Sequence, residues 1–324
     1  MSSSSPPYIL VIGATGNTGS SVVKHLSDLI TLLPSTIDQP RHIIALTRNA
    51  KKPTAIELSK LDHVEVQELD LSSVDSSWLI AKNVVRVYMA TPNQTSQFVD
   101  ESQFLLVCKE AKTIQYLVKL STNPHFITAD HPIYYGRIHW ALERMLEEKE
   151  FKEQVNWTIL RANVFATGIL SHSIEMWKKD KDKPMALLLD EHSPLALVHP
   201  ADVGAVAAKL LSLTDPSPHF HKTYTVSGPE DVTGKDIVSY VEEIVKKKIN
   251  VEYKNEKVFK TVMEADKYPE NVWKSMEKGH KKNLWTGQSR LANTKTSDEV
   301  VKLAAPHSTV KQTIQHALQG YLSF

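Results

Sequence analysis

Gly13, Gly16 and Gly19 follow one another at three-residue steps in Tyr8-Ile-Leu-Val-Ile-Gly-Ala-Thr-Gly-Asn-Thr-Gly19. The run Ile9–Ile12 before them is apolar and β-branched, and Ser20 to Leu26 after them carries a helical pattern. A strand that turns this tightly into a helix needs a residue without Cβ at the turn, a second where backbone meets ligand, and a third where helix packs on strand. The free N–H groups and positive dipole end of the helix then face the turn, as a pyrophosphate requires. The next strand, His42-Ile-Ile-Ala-Leu-Thr47, bears on which dinucleotide is held. NAD-binding units usually end it with an acid on the ribose 2′-hydroxyl. Here Arg48-Asn49 follows instead, and a guanidinium can grip a 2′-phosphate bidentately. The cofactor expected is therefore NADP(H), with Lys51 and Lys52 adding charge.

The elements that must position these residues alternate. Further strands are expected at His63–Glu68, Val84–Met89, Gln115–Leu120 and Asn156–Leu160. Helices are expected at Asn49–Leu61, Phe98–Ala111 and Tyr134–Glu150, with a short one through Trp78. Such alternation implies a doubly wound parallel sheet of the Rossmann type, with ligands beyond the carboxyl ends of its strands. Beyond Ala162 the pattern loosens. Val203–Leu213 reads as a small-residue helix and Lys222–Val226 as a strand. Gly228-Pro-Glu-Asp-Val-Thr-Gly-Lys235 has one residue too many for a phosphate loop, and Asp236 stands where magnesium would need Ser or Thr. A turn and a Thr233-x-x-Asp236 capping box, starting a helix through Val245, explain it better. Val251–Phe324 reads as helical, Lys-rich and aromatic, without a motif. The expected organisation is a nucleotide-binding domain of residues 7–170 with 196–228. A smaller, mainly helical substrate lobe takes 171–195 with 229–324.

Composition narrows the function classes. The 324 residues are 41% hydrophobic and 23% charged, ordinary for a soluble enzyme. Thirty-eight basic against 37 acidic residues leave a net charge of +1, so no global field recruits nucleic acid or anionic lipid. The expected partner is a small-molecule substrate, with no nucleic acid and no membrane, for a monomer or homodimer. Cys108 is the single cysteine; it suits a reducing, cytoplasmic setting and falls mid-helix, where it should be buried and inert. His219-Phe-His221 lacks acids or cysteines at metal-ligand spacing, so no metal is expected. No G-x-S-x-G elbow supports a hydrolase.

The chain resembles the NmrA-like family, an atypical branch of the short-chain dehydrogenase/reductase superfamily. The resemblance rests on Gly13-Ala-Thr-Gly-Asn-Thr-Gly19, Thr47-Arg48, Asp70-Leu71, Ala90-Thr91-Pro92 and His139-Trp-Ala-Leu-Glu143. It continues through Trp157–Phe165, His199-Pro-Ala-Asp202-Val and Tyr224-Thr-Val-Ser-Gly228-Pro, spanning roughly residues 8 to 240. The family includes NADP(H)-dependent reductases of quinones, imines and enones, specialised-metabolite enzymes and redox-sensing regulators. It implies that Gly13, Thr15, Gly16, Asn17, Thr18 and Gly19 form the pyrophosphate turn and that Arg48 holds the 2′-phosphate. Asp70 and Leu71 would flank adenine, Thr91 and Pro92 would lie along the ribose, and Asn163, Val164 and Phe165 would border the nicotinamide. Ala162 stands where the family commonly has proline.

In the wider superfamily a Ser, a Tyr and a Lys four residues after the Tyr act together: hydroxyls hold the carbonyl, tyrosine gives the proton, lysine lowers its pKa and grips the ribose. This chain offers Ser121, then Tyr135-Gly-Arg-Ile-His139. The one-turn spacing is kept, but the lysine is a histidine. The catalytic candidates are thus Ser121, Tyr135 and His139, with Tyr134 and Arg137 as the nearest substitutes. Plain packing of the two tyrosines and His139 is the competing reading. Tyr134, Phe165, Met176 and Trp177 are the candidate substrate wall. The resemblance implies an NADPH-dependent reductase of a C=O, C=N or activated C=C in a small cyclic specialised metabolite. A dinucleotide-sensing regulator and a cofactor-retaining isomerase are the alternatives.

Overall fold

The computed structural model describes residues 6–32, 40–258 and 268–319. Its centre is a seven-stranded sheet of β1 (Tyr8–Ile12), β2 (His42–Thr47), β3 (Val64–Glu68), β4 (Val84–Met89), β5 (Tyr116–Ser121), β6 (Trp157–Ala162) and β8 (Lys222–Val226). The spatial order is β3-β2-β1-β4-β5-β6-β8, and every pairing is parallel. This is a Rossmann-type α/β fold. The five inner strands β2, β1, β4, β5 and β6 are buried along nearly their whole length because helices cover both faces, whereas the edge strands β3 and β8 are more exposed. β4 shows the consequence: all six of its residues are buried, Arg86 included. The arginine is satisfied at its tip, where Nη1 donates to the carbonyls of Leu211 (2.6 Å) and Leu213 (2.8 Å).

The helices are α1 (Gly19–Leu32), α2 (Pro53–Leu58), α3 (Ser76–Ala81), α4 (Gln97–Ala111), α5 (Tyr134–Glu147), α6 (Lys149–Lys152), α7 (Ala166–Lys179), α8 (Pro200–Ser212), α9 (Gly234–Val245), α10 (Glu270–Leu284), α11 (Asp298–Ala304) and α12 (Val310–Gln319). On one face of the sheet α1 and α8 pack through Val22, Leu26, Val203 and Ala207. On the other, α4 and α5 pack through Phe104, Cys108, Leu142 and Leu146. Burying each such large aliphatic side chain contributes about 1.5–3 kcal/mol. Cys108 is buried as expected, and burial pushes its thiol pKa up.

Several expectations shift by a turn or a residue. The second helix is shorter than Asn49–Leu61, because Pro53 starts it and Ser59 already caps its end. β6 runs on to Ala162, where β8 supplies Val226 as its partner. The Thr233/Asp236 capping box forms. Within the stretch expected to be helical, β9 (Val251–Glu252) is a strand pairing with β7 (Met185–Ala186) in a second, two-stranded sheet. Residues 259–267 and 320–324 of that stretch lie outside the described residues.

The C-terminal helices divide between two cores. Val300 of α11 joins the α1/α8 layer, whereas Val310, Ile314 and Ala317 of α12 join the core made by α7, α9 and α10. Buried Asp202 ties the connection down, accepting from the backbone N–H groups of His307 (3.2 Å) and Ser308 (3.0 Å) and from the Ser308 hydroxyl (2.9 Å). Among the described residues no helix is long and apolar enough to cross a membrane, and no cluster of three His, Cys, Asp or Glu could hold a metal ion.

Candidate active site

β1 pairs with β2 on one side and β4 on the other. Chain order reverses there, and crevices at such a point bind ligands. An open cleft of about 670 Å³ lies beyond the strand ends, running from Arg48 and Asp70 to Tyr135, Met276 and His280. The glycine turn forms one wall. Gly13 has φ +73°, and a Cβ there would sit 2.0 Å from the Ala90 carbonyl oxygen. Gly19 does not line the cleft; it lets α1 start against the turn, where a Cβ would lie 2.1 Å from the Gly13 carbonyl oxygen. The Thr18 hydroxyl faces inward and accepts from Tyr88 (2.9 Å), so Thr18 offers the cleft its backbone rather than its side chain. Thr15, Gly16 and Asn17 line the open side, and exposed Arg48 and Lys52 stand at the far end of the same wall. Asp70 also lines it. Its carboxylate caps the turn Leu71–Ser73 through the Ser72 N–H (2.9 Å) and hydroxyl (2.6 Å). Those bonds, with the Arg48 charge adding, hold its pKa below the usual carboxylate range.

Thr91, Pro92, Asn163, Val164 and Phe165 line the middle. The Asn163 side chain, however, is turned into a knot beneath the cleft. Its Oδ1 accepts from Asn123 (2.5 Å) and the Val164 N–H (2.8 Å), while its Nδ2 lies 2.9 Å from Thr294 Oγ1 and 3.0 Å from the Ser289 carbonyl. It fastens the ends of β5 and β6 to Ser289 and Thr294, in the segment between α10 and α11. A bare sequence pattern could not reveal those partners.

The closed end brings Ser121, Tyr135 and His139 to one cleft, with commitments the sequence did not show. Ser121 donates to Glu143 Oε1 (2.6 Å), and Arg161 clamps the same carboxylate through Nη2 (2.5 Å). The Ser121 proton is therefore not directed at a substrate carbonyl. Tyr135 is 6% exposed, and its hydroxyl lies 3.3 Å from His280 Nε2 on α10. Burial pushes the tyrosine pKa up, and Tyr134 and Tyr268 push it further. His280 titrates down at about 4, from burial first and then from His131.

His139 meets a group absent from the expected set. Lys119, two residues before Ser121 on the same face of β5, places its ammonium 3.1 Å from His139 Nδ1. It also pairs with Glu101 of α4 (2.8 Å) and donates to the Leu120 carbonyl (2.9 Å). Burial, and then the Lys119 charge, hold the His139 pKa well below its ordinary value. A charged residue inside the apolar run Tyr116-Leu-Val-Lys-Leu-Ser121 is a readable signal of such a partner.

Three expected wall residues lie elsewhere. Trp177 is buried in the core that α7 shares with α9, α10 and α12, Met176 points outward at 38% exposure, and the Tyr134 hydroxyl donates to the Asn93 carbonyl. The first half of α7 faces the cleft instead, through Gly168, Ile169 and His172. One helical turn later the same helix has passed the cleft mouth. Phe126, Leu188, Val258, Tyr268 and Met276 complete a largely apolar, aromatic enclosure.

The sequence matches the NmrA-like family over residues 6–311. The chain belongs to that family. A curated relative, (4-alkanoyl-5-oxo-2,5-dihydrofuran-3-yl)methyl phosphate reductase of Streptomyces griseus, is 26% identical over 82% of this chain and 83% of its own. NAD(P)H azoreductase of Xenophilus azovorans is 25% identical over 71% of each. Among solved structures, Citrobacter sp. triphenylmethane reductase complexed with NADP(H) superposes with a TM-score of 0.68 at 19% identity, covering 96% of this chain and 100% of that one. NADPH-dependent quinone oxidoreductase of Escherichia coli with NADPH gives 0.66 at 19%, covering 95% and 99%. At these identities the structural likeness shows the shared fold.

Proposed function

We propose that this NmrA-like protein is an NADP(H)-dependent reductase whose acceptor is a small, apolar, conjugated ring compound: a quinone, an enone or an imine-like C=N. The dinucleotide fits the cleft. Gly13 lets the turn close against Ala90, Thr15, Gly16 and Asn17 line the open side where α1 begins, and Arg48 with Lys52 faces the position of a 2′-phosphate. Gly13, Gly16 and Asn17 would hold the pyrophosphate. When bound, the reduced nicotinamide supplies hydride.

The observation that carries the choice of acceptor is the state of the acids at the closed end. Ser121 is committed to Glu143, Tyr135 sits at a raised pKa beside a neutral His280, and His139 is neutral. A general acid works best with a pKa near the operating pH, and none of these groups offers one. Acceptors that delocalise the arriving electron pair need no strong acid, and their product anion takes its proton from water. Phe126, Ile169 and Met276 would hold the flat apolar ring by burial, so positioning carries the rate. The relatives named for dihydrofuranone and azo substrates act on conjugated acceptors too. Specialised metabolism is the setting such a substrate suits.

The test is NADPH consumption, followed by absorbance, against a panel of quinones, enones, cyclic imines, azo dyes and simple ketones. Turnover of the conjugated members but not of the simple ketones is expected. Tight NADPH binding with no turnover anywhere in the panel would leave the chain a dinucleotide sensor.

A further inference from the structure

The buried cluster behind His139 contains a conflict of protons. Lys119 is 0% exposed and Glu101 1%. The three ammonium hydrogens of Lys119 have three acceptors: Glu101 Oε2, the Leu120 carbonyl and His139 Nδ1. That last bond requires an unprotonated Nδ1 and places the imidazole proton on Nε2. On the opposite side of the ring, the Gln97 amide nitrogen lies 3.3 Å from His139 Nε2 and 3.1 Å from Glu101 Oε1, while its own Oε1 has no partner. As an amide donor, Gln97 requires the reverse tautomer. While the Gln97 nitrogen is turned to Glu101 Oε1, the two neighbours of the ring cannot both be satisfied. A charge-assisted bond is roughly twice as strong as a neutral one, and the Lys119 contact is also the shorter, so Lys119 prevails.

We propose that Lys119 is a positioning residue which fixes His139 as the Nε2–H tautomer, making the imidazole a hydrogen-bond donor at the floor of the cleft. It acts from β5, behind a helix position where the superfamily's own lysine is missing. The Nε2–H group opposes the Gln97 amide nitrogen beside the cleft that His139 lines, and a ribose hydroxyl oxygen of the dinucleotide would give it an acceptor. That second step rests on the NADP(H) reading above; the tautomer does not. The charged and titratable groups around the ring are Lys119 from β5, Glu101 from α4, and Tyr135 and Glu143 from α5 itself, the last held by Arg161 of β6. The ammonium beside Nδ1 also keeps the ring neutral, so the donor persists across ordinary pH.

The experiment is long-range ¹H–¹⁵N correlation NMR on the unliganded full chain with ¹⁵N-histidine, the His139 signal being identified by its loss in His139→Gln. An unprotonated Nδ1 and a protonated Nε2 are expected. A protonated Nδ1 in the unaltered chain overturns the proposal without any variant. The double variant Lys119→Met/Glu101→Gln removes both charges and leaves neither unpaired. Its His139 should reverse to Nδ1–H, and its NADPH affinity should fall roughly three- to ten-fold, as for one lost hydrogen bond. Gln97→Leu should keep Nε2–H. An unchanged tautomer in the double variant refutes the role of Lys119. A reversed tautomer with unchanged NADPH affinity refutes the donor role. If the chain binds no NADPH at all, the cofactor reading and the donor role fall together, and the tautomer still decides what Lys119 does.

Discussion

Lys119→Met should be the most damaging conservative-sized change in the sheet, and the reason lies in Glu101. Both side chains are excluded from water and meet at 2.8 Å, between β5 and α4. Removing one partner of a buried pair leaves an uncompensated charge, which costs about 3–5 kcal/mol. Replacing both partners by neutral groups of similar volume is close to neutral. Gln at position 101 retains acceptor capacity for the Thr91 hydroxyl, now 2.5 Å from Glu101 Oε1. The expected results are a loss of about 3–5 kcal/mol in Lys119→Met and about 1 kcal/mol or less in Lys119→Met/Glu101→Gln. Coupling is then several kcal/mol, against a typical total stability of about 5–15 kcal/mol. Urea denaturation of the unaltered chain, both single variants and the double variant closes the cycle. Single-variant losses below about 1 kcal/mol would show that Glu101 carries no buried charge, and the electrostatic account of the cluster would fail.

Arg48→Ala should erode the preference for NADPH over NADH about ten-fold or more, since a hydrogen bond to a charged group contributes about 1.5–3 kcal/mol; titration of both cofactors measures it, and equal affinities in the unaltered protein would remove the role assigned to Arg48. Tyr135→Phe should lower kcat well under the 10²–10⁴-fold typical of a lost general acid; a three-order collapse in steady-state kinetics with unchanged NADPH affinity would make the tyrosine the proton donor. His280 gives a pH dependence of stability. Its folded pKa of about 4 lies below the unfolded value of 6.5, so the unfolded chain takes up the proton first. Stability is full above about pH 6.5 and falls towards pH 4, by about 3 kcal/mol for this one group. Denaturation at a series of pH values should show a shallower decline in His280→Gln, and an identical slope would rule the effect out.

The glycine turn, the strand–helix alternation and the arginine after β2 were legible because they are local. Backbone without Cβ, short apolar runs and a charge next to a strand end each leave a mark within a few residues, and the fold class follows from their order. The capping box at Thr233 was legible for the same reason, its two bonds closing over three residues. The catalytic end was not. Ser121, Tyr135 and His139 could be named from spacing, yet what each does depends on Glu143, His280 and Lys119, reached across helix–strand and helix–helix contacts. Lys119 and His139 are 20 residues apart, and Tyr135 and His280 are 145 apart. Met176 and Trp177 failed as wall residues because which part of α7 faces the cleft is set by where the helix crosses it. A sequence fixes the helix period but not the crossing. Protonation and hydrogen-bond direction are properties of neighbours packed around a group, and only the tertiary structure chooses those neighbours.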